Sequence, residues 1–194
     1  RLLIKNLLSH NDENSFYDKK QKLSLSSKEG KAKFLKHICA LSNSNPANNS
    51  YIIIGVSDEE NKIIGVDFFD DGKIQNLVNA YLKNPPKIQY ENVPFPRLPR
   101  HKVIGLVTIS PNKQITSLLK NAWKYRRNSI FYRRGSNSMP FQGKEFELRN
   151  TNQSLVEAIE KNARNNIELT LDGVFDFINN HKQEYNPQYK VFNE

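Results

Sequence analysis

The sequence predicts an α+β domain: a mixed β-sheet with packed helices over residues 1–144, then a helical C-terminal extension over 145–194. Three observations carry that prediction. Tyr51-Ile-Ile-Ile-Gly-Val56 is a continuous apolar run of strand length, as a strand buried on both faces requires. Phe34, Leu35, Ile38, Cys39 and Leu41 recur at helical spacing just before it. Strand-like segments separated by hairpin turns and proline loops fill residues 87–134, and mixed elements of this kind favour α+β.

In chain order, Ser15–Leu25 alternates roughly between apolar and polar and reads as a strand. Ser26-Ser27-Lys28-Glu29 reads as a helix start, with a serine cap and an acid in the first turn. The helix is expected to run to Ser42, where Asn43-Ser-Asn-Pro-Ala-Asn-Asn-Ser50 is loop chemistry. After the apolar run, Asp58-Glu-Glu-Asn61 makes a turn and Lys62–Val66 returns as the hairpin partner. A helix over Asp71–Leu82 ends at Asn84-Pro85-Pro86. Strands are expected at Lys87–Val93, Lys102–Ile109 and Ser129–Arg134, while 115–124 fits helix or loop. Amphipathic helices near Gln153–Asn165 and Leu171–Lys182 complete the pattern.

The charge is uneven. The chain carries a net +9, yet between Asn92 and Lys144 eleven Lys and Arg occur without one Asp or Glu. Such a segment suits a polyanion, because each neutralised phosphate releases counterions. Tyr125-Arg126-Arg127 and Tyr132-Arg133-Arg134 interleave aromatics with guanidinium groups, and Trp123-Lys124 precedes them. Guanidinium forks pair with phosphates and aromatic faces stack unpaired bases. Arg97, Arg100 and Lys102 extend the candidate surface on the proline loop, and strand alternation lets only one of Arg133 and Arg134 face a ligand. Phe131 reads as core. Lys31, Lys33 and Lys36 read as the solvated face of their helix. No helix-turn-helix or finger pattern appears, so the expected partner is nucleic acid, RNA favoured over DNA.

A second group is acidic. Glu13 and Asp18 lie in or beside the first strand, and Asp58 follows the apolar run. Three converging carboxylates would suit Mg²⁺ or Mn²⁺, which prefer oxygen ligands. Lys20, two residues after Asp18 and so on the same strand face, could orient a water or steady a phosphate. Glu59 and Glu60 compete with Asp58 as third ligand. Ordinary hairpin-turn composition and surface charge account for the same residues. The lone Cys39 excludes an internal disulfide and a cysteine zinc site, and the four histidines show no ligand spacing. No apolar stretch approaches a membrane span, and a cytoplasmic setting is expected. The absence of a glycine-rich loop ending in Lys-Ser or Lys-Thr argues against nucleotide triphosphate binding.

The order of these features resembles the AlbA_2 domain of Schlafen-type proteins. The residues that carry the likeness are Glu13 with Asp18-Lys19-Lys20, then Ala40-Leu-Ser-Asn43, Ile53-Ile54-Gly55-Val56-Ser57-Asp58, Ile63-Ile-Gly-Val66 and Tyr132-Arg133-Arg134-Gly135-Ser136. The resemblance implies a metal-dependent endoribonuclease acting on structured RNA such as tRNA. Glu13, Asp18 and Asp58 would be the metal ligands and Lys20 the accompanying lysine. It also implies a homodimer built around a groove. Two departures stand out: the second acid is the shorter Asp, and Pro46–Ser50 replaces the family's Gly-Gly. The alternatives are a non-catalytic DNA- or RNA-binding regulatory module, and an interaction subunit using Leu155, Ile159, Phe175, Phe177 and Ile178.

Overall fold

The computed structural model describes residues 1–9, 14–57, 62–96 and 98–164. Its centre is a five-stranded mixed sheet of β1 (Tyr17–Lys20), β2 (Ser50–Ile54), β3 (Val66–Asp67), β5 (Ile88–Val93) and β6 (Lys102–Ile109). β1 and β2 pair in parallel, Asp18 opposite Ile52 and Lys20 opposite Ile54. A parallel pair needs a long crossover, which α2 (Lys28–Ser44) supplies. β6 then pairs antiparallel with β2, β3 and β5.

The apolar run of β2 explains the layering. All five of its residues are buried. Ile52 and Ile54 enter one core with Phe34, Leu35 and Ile38 of α2 and with Ile74 and Val78 of α3 (Asp71–Tyr81). Tyr51 and Ile53 face the opposite core, which is filled by Ile4 and Leu7 of α1 (Leu2–Ser9) and by Val156 and Ile159 of the helix over 153–164. Helices therefore cover both faces of the sheet. Ile159 is core rather than part of an exposed stripe, and Glu160 receives hydrogen bonds from Asn49 and Tyr51. Phe175, Phe177 and Ile178, and the expected helix at 171–182, lie outside the described residues. No helix among the described residues is long and apolar enough to cross a membrane.

Several boundaries differ from the sequence reading. Ser27 caps α2 as expected, its hydroxyl accepting from the Gly30 N–H at 2.9 Å. The hairpin after β2 is short: Val56 bridges Ile63, then β3 leaves to pair with β6. Gly55 (φ +102°) and Gly65 (φ +74°) make that turn-off, and a Cβ on Gly55 would lie 3.0 Å from the Gly65 Cα. The 115–124 stretch holds neither expected form alone: Ser117–Leu118 forms β7, paired with β4 (Leu82–Lys83). β8 (Phe131–Arg134) turns at Gly135 into β9 (Asn137–Pro140), a strand with no apolar alternation to announce it. α1, which shows no helix-start signal in the sequence, buries Ile4 and Leu7 completely.

Candidate functional site

Alternation along β1 sends Asp18 and Lys20 to the α2 face of the sheet. Asp18 is only 1% exposed, and a carboxylate so placed must be paired. Arg133 of β8 pairs it, with Nη1 donating to Asp18 Oδ1 at 3.3 Å. The same guanidinium donates to the carbonyls of Asn14 (3.0 Å) and Tyr17 (3.2 Å) and to Ser138 Oγ (3.2 Å). Lys20 Nζ lies 2.7 Å from Asp18 Oδ2 and pairs with the second oxygen.

His37 of α2 completes the cluster, with Nδ1 3.1 Å from Ser138 Oγ and 3.5 Å from Asp18 Oδ2. Burial pushes its imidazole down to about 3. Asp18 pulls the other way, but Lys20, Lys36 and Arg133 add to the burial. His37 is therefore neutral at pH 7, and its contact with Asp18 is not an ion pair there.

The cluster opens on a cavity of about 140 Å³ lined by Asp18, Lys20, Lys22, Lys33, Phe34 and His37. Lys36 stands nearby. Partial burial lowers its ammonium pKa, and Lys20, Lys124 and Lys33 lower it further against the pull of Asp18. Lys33 pairs with Glu29 at 2.6 Å, one turn back on the exposed side of α2. The helix face read as merely solvated therefore forms one cationic surface with the end of β1 and with Lys124.

Lys124 belongs to a turn that the sequence left ambiguous. Ala122 and Tyr125 bridge one another, which forces Trp123 to φ +52° and leaves its ring 48% exposed. Tyr125 anchors the turn, its ring 5.0 Å from that of the buried Phe131. Lys124 Nζ sits 4.7 Å above the Trp123 ring. Arg126 and Arg127 are exposed beside it.

The predicted residues divide as follows. Lys124, Arg126, Arg127 and Arg134 are exposed together with Arg100. Lys102 pairs with Asp67 at 2.9 Å, on another edge of the sheet. Arg133 requires a correction: with 0% of its side chain exposed and its donors turned inward, it has no surface to offer a phosphate. Glu13, Asp58 and Arg97 lie outside the described residues. Among the described residues no three His, Cys, Asp or Glu side chains group as a metal site. Asp18, the one carboxylate of the expected triad among them, is already met by two cations. By themselves the described residues do not fit a divalent ion, and Glu13 and Asp58 would have to complete the set.

Sequence reasoning missed His37 and Ser138, which lie 101 residues apart and meet only through folding. It also left unexplained the role of Asn43, in the Ala40-Leu-Ser-Asn43 motif. Asn43 is buried at the end of α2. Its Nδ2 donates to the carbonyls of Thr116 (2.8 Å) and Phe131 (2.9 Å), and its Oδ1 accepts from the Thr116 N–H (2.8 Å). One side chain thus ties the helix to the residue before β7 and to β8, two residues from Arg133.

Asp18, Lys20 and Arg133 of these motifs meet in one cluster, and the profile of the Schlafen AlbA_2 domain matches residues 13–142, well over half of the chain. The chain belongs to the Schlafen AlbA_2 family. Residues 154–194 match a domain of unknown function, DUF5929. No curated protein matches the chain. Among solved structures it is similar to the crystal structure of the DIP2311 protein from Corynebacterium diphtheriae, with 13% identity and a TM-score of 0.46. That match covers 71% of this chain and 25% of the other, so the AlbA_2 chain spans about a quarter of that protein.

Proposed function

We propose that this AlbA_2 domain binds nucleic acid, RNA in preference to DNA, across the surface formed by α2, the end of β1 and the Trp123–Arg127 turn. The observation that carries this reading is the gathering of Lys20, Lys33, Lys36 and Lys124 about the start of α2, with Lys36 held partly out of water among like charges. Crowded cations destabilise one another, and a polyanion relieves that repulsion. Trp123 adds an exposed ring beside Lys124, Arg126 and Arg127, as unpaired bases require. An electrophoretic mobility shift of labelled tRNA in EDTA tests the reading. Wild type should retard the RNA, and Lys33→Glu/Lys124→Glu should not. Equal retardation by both proteins would place the ligand elsewhere.

A second reading is metal-dependent cleavage of structured RNA, with Glu13, Asp18 and Asp58 holding Mg²⁺ or Mn²⁺. The placement of Asp18 beside Lys20 in the lining of the cavity favours it. Such an ion, when bound, polarises the phosphate and acidifies water. The chain's own contributions are separate from that chemistry. Arg133 fixes the orientation of Asp18, Lys20 neutralises charge on a phosphate oxygen, and neutral His37 keeps Asp18 from acquiring a further fixed cation. Incubating labelled tRNA with Mn²⁺, Mg²⁺ or EDTA, beside Asp58→Asn and Glu13→Gln, decides it. Intact RNA under every metal removes this reading and leaves binding alone.

A further inference from the structure

Lys22 and Leu23, which follow β1, are shared by two openings. On one side lies the Asp18–Lys20 cavity, and on the other a cleft of about 470 Å³ that reaches Phe68, Phe69, Tyr90 and Lys102. The second cleft has the roughly 300–1,000 Å³ of a ligand site. It contains the most exposed aromatic ring among the described residues, Phe68, at 67%. The backbone that presents this ring is fixed on both sides. Asp67 before it is paired within β3 and bonded to Lys102. Phe69 after it is clamped by Asn92, whose Oδ1 accepts from the Phe69 N–H at 3.2 Å and whose Nδ2 donates to the Phe69 carbonyl at 3.0 Å.

An exposed phenyl ring on a rigid backbone is costly in water unless something covers it. The surrounding charge points to the occupant. Lys22 and Lys102 line the cleft, Lys73 lies 5.7 Å from the Phe69 ring, and Lys22 also lines the cavity that holds Lys20 and Lys33. Asp67, the acid in the cleft lining, is neutralised by Lys102.

We propose that this cleft is a stacking site for an unpaired nucleotide. The base lies on Phe68, and the backbone passes Lys22 toward Lys20 and Lys33. The proposal rests on the nucleic-acid reading and narrows it to a single-stranded segment, since a duplex hides its base faces.

Fluorescence anisotropy of the full chain with a short labelled oligouridylate, and separately with a blunt RNA duplex, tests the proposal. Phe68→Ala should weaken single-strand binding about 5- to 100-fold and leave duplex binding within about twofold. Phe68→Trp should restore it. Lys22→Ala should weaken both ligands. Phe68 is exposed, and an unchanged thermal melt confirms that the variants fold. If wild type binds the single strand and Phe68→Ala binds it equally well, the stacking site is wrong while the nucleic-acid reading stands. If wild type binds neither RNA, both fall.

Discussion

The guanidinium of Arg133 lies 3.3 Å from Asp18 Oδ1 although 115 residues separate them, and neither side chain is more than 1% exposed. This contact joins the first strand of the sheet to the β8–β9 hairpin. Breaking one partner of a buried pair strands the other charge in a poorly solvating interior, at about 3–5 kcal/mol. Arg133→Met should lose up to that much in urea denaturation, with Lys20 still 2.7 Å from Asp18 and offsetting part of its charge. Asp18→Leu/Arg133→Met should lose less than the two single substitutions combined, since neither charge is then left alone. A loss below about 1 kcal/mol for Arg133→Met would show that the pair does not hold the fold together.

Asn43 makes three buried hydrogen bonds from one side chain. Asn43→Ala leaves two carbonyls and the Thr116 N–H without those partners, a cost of about 3 kcal/mol or more at about 1 or more per group. Hydrogen exchange should report it locally, with the Thr116 amide losing protection before the amides of β2. Unchanged protection at Thr116 would remove the clamp from the account.

His37 gives the fold an acid sensitivity of defined sign. Its folded pKa, about 3, lies below the unfolded 6.5, so the neutral ring favours folding. That contribution is fully present above pH 6.5 and is lost as pH falls from there toward 3. Asp18, Lys20, Lys36 and Arg133 face it, and the three cations oppose its protonation. His37→Gln should therefore flatten the decline in melting temperature between pH 6.5 and 4. An equally steep decline in the variant would assign the acid lability to other groups.

The Trp123–Arg127 turn supplies three exposed cations. For single strands the log–log salt slope is about −0.7 per phosphate neutralised. Replacing Lys124, Arg126 and Arg127 with Ala should reduce that slope in magnitude by about two and leave the melt unchanged. A slope equal to that of wild type would mean that the turn does not touch the backbone.

Much of this architecture can be read from the sequence where burial and period agree. Tyr51–Val56, the helical spacing around Ile38 and the whole of β6 follow from apolar patterning, because core packing there favours the same conformation as local preference. β9 could not be read, since its exposed Asn-Ser-Met-Pro residues have no pattern and pairing with β8 alone makes them a strand. The site was legible as a set of residue types, not as partnerships. Charge counting treats Arg133 and Arg134 alike, whereas the fold buries one against Asp18 and exposes the other. His37 looked isolated because its neighbours, Asp18 and Ser138, come from distant strands.

The most direct test of nucleic-acid binding is the salt dependence of single-stranded RNA affinity for the wild-type chain in EDTA. With Lys20, Lys33, Lys36, Lys124, Arg126 and Arg127 meeting phosphates, log K should fall against log salt with a slope of about −4. A salt-independent affinity, or no binding at low salt, would contradict the account.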